Sequence, residues 1–159
     1  MGKKNFNLKD LIDASNEALK KKNYLKAKNI LENIKSIKNN IFEVHNNLGI
    51  VFLNLNELEN SINHLEIATN LNPKFSVTYF NLGVAYEKLR KTKNATENYL
   101  KAIKFDKKNF NAYFNIGTLY KLENKIDKAE EYLSEAIKLN PYFVGAYNNL
   151  FEIFDRSNQ

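Results

Sequence analysis

The sequence Tyr79-Phe80-Asn81-Leu82-Gly83-Val84-Ala85-Tyr86 decides the fold, because it recurs on both sides at a spacing of 34 residues. Residues 45–52 read His-Asn-Asn-Leu-Gly-Ile-Val-Phe, and residues 113–120 read Tyr-Phe-Asn-Ile-Gly-Thr-Leu-Tyr. Further positions keep the same period: Ser61, Ala95 and Ala129; Leu65, Tyr99 and Leu133; and Ala68, Ala102 and Ala136. A fixed period of this length predicts stacked repeats, in which each unit buries its apolar face on its neighbours.

The repeating positions resemble the consensus of the tetratricopeptide repeat (TPR) family. That family places a large aromatic residue at repeat position 4, Leu-Gly at 7 and 8, Tyr at 11, Ala at 20, Phe or Tyr at 24, Ala at 27 and Pro at 32. Pro73 and Pro141 fall on the last of these positions, with Lys107 at the position between them. The resemblance covers nearly the whole chain in register. It implies an all-α fold, a right-handed α-solenoid of stacked helix-turn-helix units.

The same register predicts how the chain is divided. We expect a flexible N-terminus over residues 1–7 and a single TPR domain over residues 8–159. Its parts are four repeats and a C-terminal capping helix, at residues 8–41, 42–75, 76–109, 110–143 and 144–156. The first repeat is degenerate, as terminal repeats tend to be because one side faces water. Each repeat should contain an A helix, a short polar turn and a B helix.

Position 8 distinguishes the last helix from the others. Gly49, Gly83 and Gly117 occupy it in repeats two to four, and we expect them to let the A and B helices approach closely. In the fifth copy the position holds Phe151, which a helix without a B partner can accommodate. Phe151 and Phe154 therefore serve a plain cap, form a small self-association surface, or belong to a longer array.

The composition limits the classes of function. The chain has 159 residues, no cysteine and a formal charge of +6. No apolar run approaches the roughly 20 residues of a membrane span, and the first residues lack the apolar core of a secretory signal. We therefore expect a cytoplasmic protein that does not contact membranes.

A catalytic constellation is not evident. His45 stands at position 4, where the family has a packing aromatic residue, and His64 is expected to be exposed on a B helix. The glycines do not form a phosphate-binding loop, since repeats two to four carry one each. We predict that the protein is not an enzyme and uses no metal or cofactor.

The resemblance places the functional surface on the A helices, which line the concave groove of TPR proteins through positions 2, 5, 6, 9, 12 and 13. Position 6 is asparagine in four successive A helices: Asn47, Asn81, Asn115 and Asn149. This asparagine ladder is similar to that of the O-GlcNAc transferase TPR domain, and a carboxamide can pair with both the N–H and the C=O of a peptide. Around it we predict an apolar, uncharged groove that includes Asn46, Ile50, Val77, Phe80, Val84, Phe114 and Thr118.

We therefore predict a protein–protein interaction adaptor that binds a peptide segment of a partner. The family's carboxylate clamp, which holds the acidic tail of heat-shock chaperones, needs two lysines and one arginine. This chain instead offers Ile12, Asn16, Asn47, Val77 and Asn81, so we expect no chaperone-tail binding. RNA binding, as in pentatricopeptide repeats, is an alternative. It is disfavoured by the strict period and by a groove poor in cations, since phosphate contacts dominate nucleic-acid affinity.

Overall fold

The computed structural model describes residues 7–157, and these residues form α-helices joined by short turns, with no strand among them. The helices are α1 (Leu8–Lys20), α2 (Tyr24–Ile37), α3 (Phe42–Asn54), α4 (Leu58–Leu71), α5 (Ser76–Lys88), α6 (Thr92–Phe105), α7 (Phe110–Leu122), α8 (Ile126–Leu139) and α9 (Val144–Ser157). The predicted all-α class of helical repeats is confirmed. None of the described helices is long and apolar enough to cross a membrane.

Contacts divide the chain into two compact units, Met1–Lys74 and Phe75–Gln159. The first unit contains α1 to α4, and the second contains α5 to α9. Each predicted repeat holds one A helix of 13 residues and one B helix of 14 residues. Residues 1–6 of the predicted flexible N-terminus lie outside the described residues. Asn7 caps α1, because its side-chain oxygen accepts a hydrogen bond from the Lys9 amide at 3.3 Å.

The A helix of each of the four repeats ends in the same left-handed turn, which the sequence does not predict. Lys22, Asn56, Arg90 and Asn124 have φ between 55° and 60°, at one position of each repeat. Two backbone hydrogen bonds close each turn; in repeat three the amides of Arg90 and Lys91 donate to the carbonyls of Glu87 and Tyr86. This is the hydrogen-bond pattern of a helix C-cap, although glycine is its usual residue. A side chain in this conformation costs about 1 kcal/mol.

The B helices end where the sequence predicts. Asn72 and Asn140 leave the helical conformation immediately before Pro73 and Pro141, as expected because proline disfavours helix in the preceding residue. Lys38 and Asp106 end α2 and α6 in the same extended conformation without a following proline. The proline is therefore not needed to stop these helices.

Close packing of A on B helices explains the position-8 glycines and confirms the prediction. A Cβ added to Gly49, Gly83 or Gly117 would lie 2.4, 2.4 or 2.7 Å from a side-chain atom of the repeat's own B helix. No real Cβ tolerates contacts that short, because protein interiors are packed at the density of organic crystals. Only glycine therefore fits at position 8 with the A–B helix spacing of these repeats.

The apolar cores lie between the helices of each unit. In the first unit Leu31, Ile34, Leu48 and Val51 are almost fully buried. In the second unit one core surrounds Tyr99, Ile116 and Leu119, and another joins α8 to α9. That last core contains Leu133, Ala136, Ala146 and Ile153, so α9 is packed on one face like the other A helices.

Candidate functional site

In the first unit the asparagine side chains bond to one another. The Asn47 amide nitrogen donates to the Asn16 side-chain oxygen at 2.9 Å, and Asn46 donates to the Asn47 oxygen at 3.4 Å. Asn16 in turn donates to the Glu43 carboxylate at 3.4 Å. Asn46 and Asn47 are only 6% and 8% exposed, and Ile50 is half-buried. The predicted site residues Asn46 and Asn47 therefore belong to a chain of hydrogen-bonded side chains within the unit and present little surface.

In the second unit Asn115 is bonded to a buried tyrosine. Tyr99 of α6 is fully buried, and its hydroxyl donates to the Glu87 carboxylate at 2.5 Å. Burial raises the pKa of Tyr99 first, and the hydrogen bond to Glu87 raises it further, while a hydrogen bond from Asn115 opposes them. The phenol consequently stays neutral and links α5, α6 and α7.

Both polar atoms of the Asn149 side chain form hydrogen bonds within the chain. Its nitrogen donates to the Thr118 hydroxyl at 2.9 Å, and its oxygen accepts a hydrogen bond from the Lys121 ammonium. Lys121, whose side chain is 12% exposed, also donates to the Glu152 carboxylate at 2.9 Å. These contacts hold α9 against α7. Asn149 and Thr118 were predicted to bind a partner, and the structure places them in a helix–helix contact.

Asn81 differs from the other members of the asparagine ladder. Its side chain is half-buried and forms no hydrogen bond with any residue in the described range 7–157. Val77 precedes it by four residues and Val84 follows by three, so the three side chains lie along one face of α5. Val77 is 46% exposed and Val84 is half-buried. We call these residues, Val77, Asn81 and Val84, the α5 stripe.

The two predicted aromatic anchors are partly used in packing. The Phe80 ring centre lies 5.6 Å from that of Tyr99, and the Phe114 ring meets Phe143 edge-on at 4.8 Å. A Cβ on Gly145 would touch the Phe114 ring at 3.4 Å, so α9 packs directly on this side chain. Both phenylalanines stay half-buried. Each side chain is thus partly exposed and partly packed in the core.

The prediction that the groove is uncharged is wrong at position 12. Glu87 and Lys121 occupy this position in repeats three and four, and both bond to ladder residues or their partners. Position 12 belongs to the family's groove positions, so the signal was present in the sequence. What the sequence did not show was that both side chains are hydrogen-bonded within the chain, Lys121 to the Glu152 carboxylate and Glu87 to the neutral Tyr99 hydroxyl.

The two histidines form a buried pair in the first unit. His64 is 7% exposed, so the prediction that it lies on the surface is wrong. Its Nδ1 lies 2.9 Å from Nδ1 of His45, whose Nε2 lies 2.7 Å from the Asn39 carbonyl. A carbonyl oxygen only accepts hydrogen bonds, so His45 carries its proton on Nε2. The Nδ1 of His45 therefore accepts a hydrogen bond from Nδ1 of His64. Burial, followed by Lys35 and His45, lowers the pKa of His64 to about 4.

This pair gives no sign of a metal site or a catalytic centre. Among the described residues no three histidine, cysteine or carboxylate side chains are grouped as metal ligands. The predicted structural role of His45 agrees with its burial at 4% exposure. On α9, Phe151 and Phe154 are 70% and 52% exposed, as a self-association surface requires.

Comparison with known families matches three segments of the chain to TPR profiles. Two profiles described as tetratricopeptide repeat match residues 42–75 and 110–143, and one described as TPR repeat matches residues 91–124. The chain belongs to the tetratricopeptide repeat family. The first two matches coincide with the second and fourth predicted repeats. Membership supports a role as a protein-interaction adaptor, in a family that is typically non-enzymatic.

Solved structures of other TPR proteins share the fold. The crystal structure of MamA is 20% identical with a TM-score of 0.83, over 91% of this chain and 84% of that one. Cut9, in the APC/C hetero-tetramer Cut9–Hcn1, is 24% identical with a TM-score of 0.84, over 93% of this chain and 30% of that one. YrrB, described as a TPR protein with an unusual peptide-binding site, is 22% identical with a TM-score of 0.78, over 89% of this chain and 73% of that one. No curated protein is significantly similar in sequence.

Proposed function

We propose that the protein is an adaptor that binds an extended, uncharged peptide segment of a partner protein along the A helices of its second unit. The observation that carries this proposal is the side chain of Asn81. It is a carboxamide with two donors and an acceptor, partly exposed and without a hydrogen-bond partner in the described residues. An extended peptide backbone presents the matching pair of groups, one N–H and one C=O, on the same edge.

The neighbours of Asn81 suit such a ligand. Val77 and Val84 flank the amide along the helix and offer apolar surface to peptide side chains on either side of it. The exposed parts of Phe80 and Phe114 add aromatic surface, which is the type that contributes most to peptide interfaces. Lys121 is paired with Glu152 and bonded to Asn149, and the Glu87 carboxylate accepts a hydrogen bond from Tyr99, so both side chains already have partners within the chain.

Within the asparagine ladder the four residues then have unequal roles. Asn81 is the principal polar contact, and the half-buried Asn115 one repeat further on is the second. Asn149 orders α9 through Thr118 and Lys121. Asn47 orders the first unit through Asn16. YrrB, with the same fold, is described as having a peptide-binding site, which supports the class of ligand proposed.

The test is peptide selection followed by a matched pair of variants. A phage-displayed library of random twelve-residue peptides is selected on the wild-type protein, and the affinity of a selected peptide is measured by fluorescence anisotropy. Asn81→Ala should weaken binding roughly 2- to 12-fold, which corresponds to the loss of about 0.5–1.5 kcal/mol for a hydrogen bond. Asn63→Ala, which removes an exposed asparagine from α4, should change nothing.

Val77→Asp tests the apolar part of the same surface. A carboxylate at this exposed position on α5 leaves the fold intact and should abolish binding of an uncharged peptide. Peptides that bind Asn81→Ala and Val77→Asp as tightly as the wild type would show that the α5 stripe is not the site. Selection that yields no binding peptide would argue against a peptide ligand altogether.

A further inference from the structure

Helix α9 presents the face that the other A helices use to hold their own B helix. In repeat four this face comprises Tyr113, Gly117 and Tyr120, at positions 4, 8 and 11. Tyr113 and Tyr120 lie 6.1 and 5.6 Å from the ring of Tyr132 on α8, and Gly117 is pressed against α8 at Leu133. The corresponding residues of α9 are Tyr147, Phe151 and Phe154.

On α9 this face is exposed. Val144 is 65%, Tyr147 47%, Phe151 70% and Phe154 52% exposed, and we call these four residues the α9 stripe. The opposite face is fixed, because Ala146 and Ile153 are buried against α8. A row of exposed aromatic side chains on a helix anchored in this way is a surface that normally meets another protein.

A B helix packed as in the other repeats does not fit this stripe. At position 8 even a single Cβ would lie 2.4 to 2.7 Å from the facing helix in repeats two to four, and Phe151 is a whole ring larger. The stripe residues, in contrast, are spaced by three, four and three along α9, which is the a/d spacing of helices that pair with one another in coiled coils. The spacing is self-complementary.

Charge favours a second copy of the same chain at this surface. The protein carries a formal charge of +6, so two copies repel one another over most of their surface. Residues 144–155 contain no lysine or arginine. Glu152 is neutralised by Lys121 at 2.9 Å, which leaves Asp155 as the main charge beside the stripe. Apart from Arg156 near its end, α9 carries no cation, so two copies can meet along residues 144–155 without bringing lysines together.

We propose that two copies associate through their α9 stripes, with the helices antiparallel about a two-fold axis. The antiparallel arrangement keeps the Glu152 and Asp155 carboxylates of the two copies at opposite ends, whereas a parallel one would bring all four together. Four side chains, each about half exposed, contribute on the order of 400 Å² per copy. That is about half of what a stable interface buries, so the dimer forms weakly and only at micromolar concentrations or above.

Sedimentation equilibrium at a series of concentrations from micromolar to submillimolar tests the proposal. The wild-type mass should rise from 18.5 kDa towards twice that value as the concentration increases. Phe151→Glu, which changes a side chain outside the core, should remain monomeric throughout with an unchanged circular dichroism spectrum. Leu122→Glu, which introduces the same charge at a side chain 75% exposed on α7, should dimerise like the wild type.

The antiparallel arrangement can be tested separately by disulfide cross-linking of introduced cysteines, because the chain has no cysteine of its own. Val144→Cys and Phe154→Cys proteins should form a disulfide-linked dimer under mild oxidation when mixed, and much less of one when each is alone. A wild-type protein that stays monomeric at all concentrations would overturn the proposal. So would a dimer that persists in Phe151→Glu, or cross-linking of the single variants that equals that of the mixture.

Discussion

Replacing Gly83 by alanine should destabilise the protein, although alanine is the better helix former. Gly83 lies in α5, where an added Cβ would come within 2.4 Å of two ring carbons of Tyr99. The ring cannot move aside, because it is fully buried and its hydroxyl is hydrogen-bonded to Glu87. The strain must therefore be taken up by separation of α5 from α6 or by loss of those hydrogen bonds.

The magnitude follows from three effects. Overpacking a filled core costs about 1–3 kcal/mol. Disturbing the Tyr99 hydroxyl adds about 1 kcal/mol, the net contribution of one hydrogen bond. The higher helix propensity of alanine offsets about 1 kcal/mol. The free energy of unfolding should thus fall by about 1–3 kcal/mol.

Urea unfolding followed by circular dichroism at 222 nm measures this change. Gly145→Ala is the matched control, because it makes the same substitution in α9, where the new Cβ would make an ordinary contact of 3.4 Å with the Phe114 ring. That variant should be as stable as the wild type or more stable, by up to about 1 kcal/mol. A Gly83→Ala protein that matches Gly145→Ala in stability would refute the reasoning that helix spacing fixes the glycine.

Two further predictions concern the histidine pair and the contact of α7 with α9. Burial lowers the pKa of His64 to about 4 from 6.5, so the unfolded chain binds the proton first as pH falls. The free energy of unfolding should therefore drop by about 2–3 kcal/mol between these two pH values. Urea titrations should show a weaker pH dependence for His64→Gln. Lys121→Met removes the donor to Asn149 and Glu152, so amide hydrogen exchange in α9 should accelerate at least tenfold. Lys125→Met is the control, because it breaks an exposed ion pair with Glu123 and should leave hydrogen exchange in α9 unchanged.

The period of the sequence, together with its resemblance to the TPR consensus, was enough to predict the helices and their close contacts. Gly49, Gly83 and Gly117 are predictable as sites of tight A–B packing, because a small residue repeated at one helical position has that physical cause. The ends of α4 and α8 followed from Asn-Pro. The left-handed turns at Lys22 and Arg90 were not predicted, because lysine and arginine carry no local preference for that conformation, and the packing of the two helices imposes it.

The candidate site was predictable only in outline. Position 6 identified four asparagines, but their different hydrogen bonds depend on which side chains the neighbouring helices bring within reach. Asn149 is hydrogen-bonded to Lys121, Asn115 lies beside the Tyr99 hydroxyl, and Asn81 has no hydrogen-bond partner among the described residues, although the sequence treats all three alike. Likewise, nothing around His64 in the sequence marks it as buried against His45.

The sequence by itself determined the repeat length, because that is a periodic property of the chain. Through its resemblance to the TPR consensus it also determined the family, the order of the helices and the residues that line them. The tertiary structure decided which polar groups are satisfied and which remain available to a partner. A hydrogen bond depends on distances of about 3 Å between atoms far apart in the chain, and periodicity does not specify positions that finely.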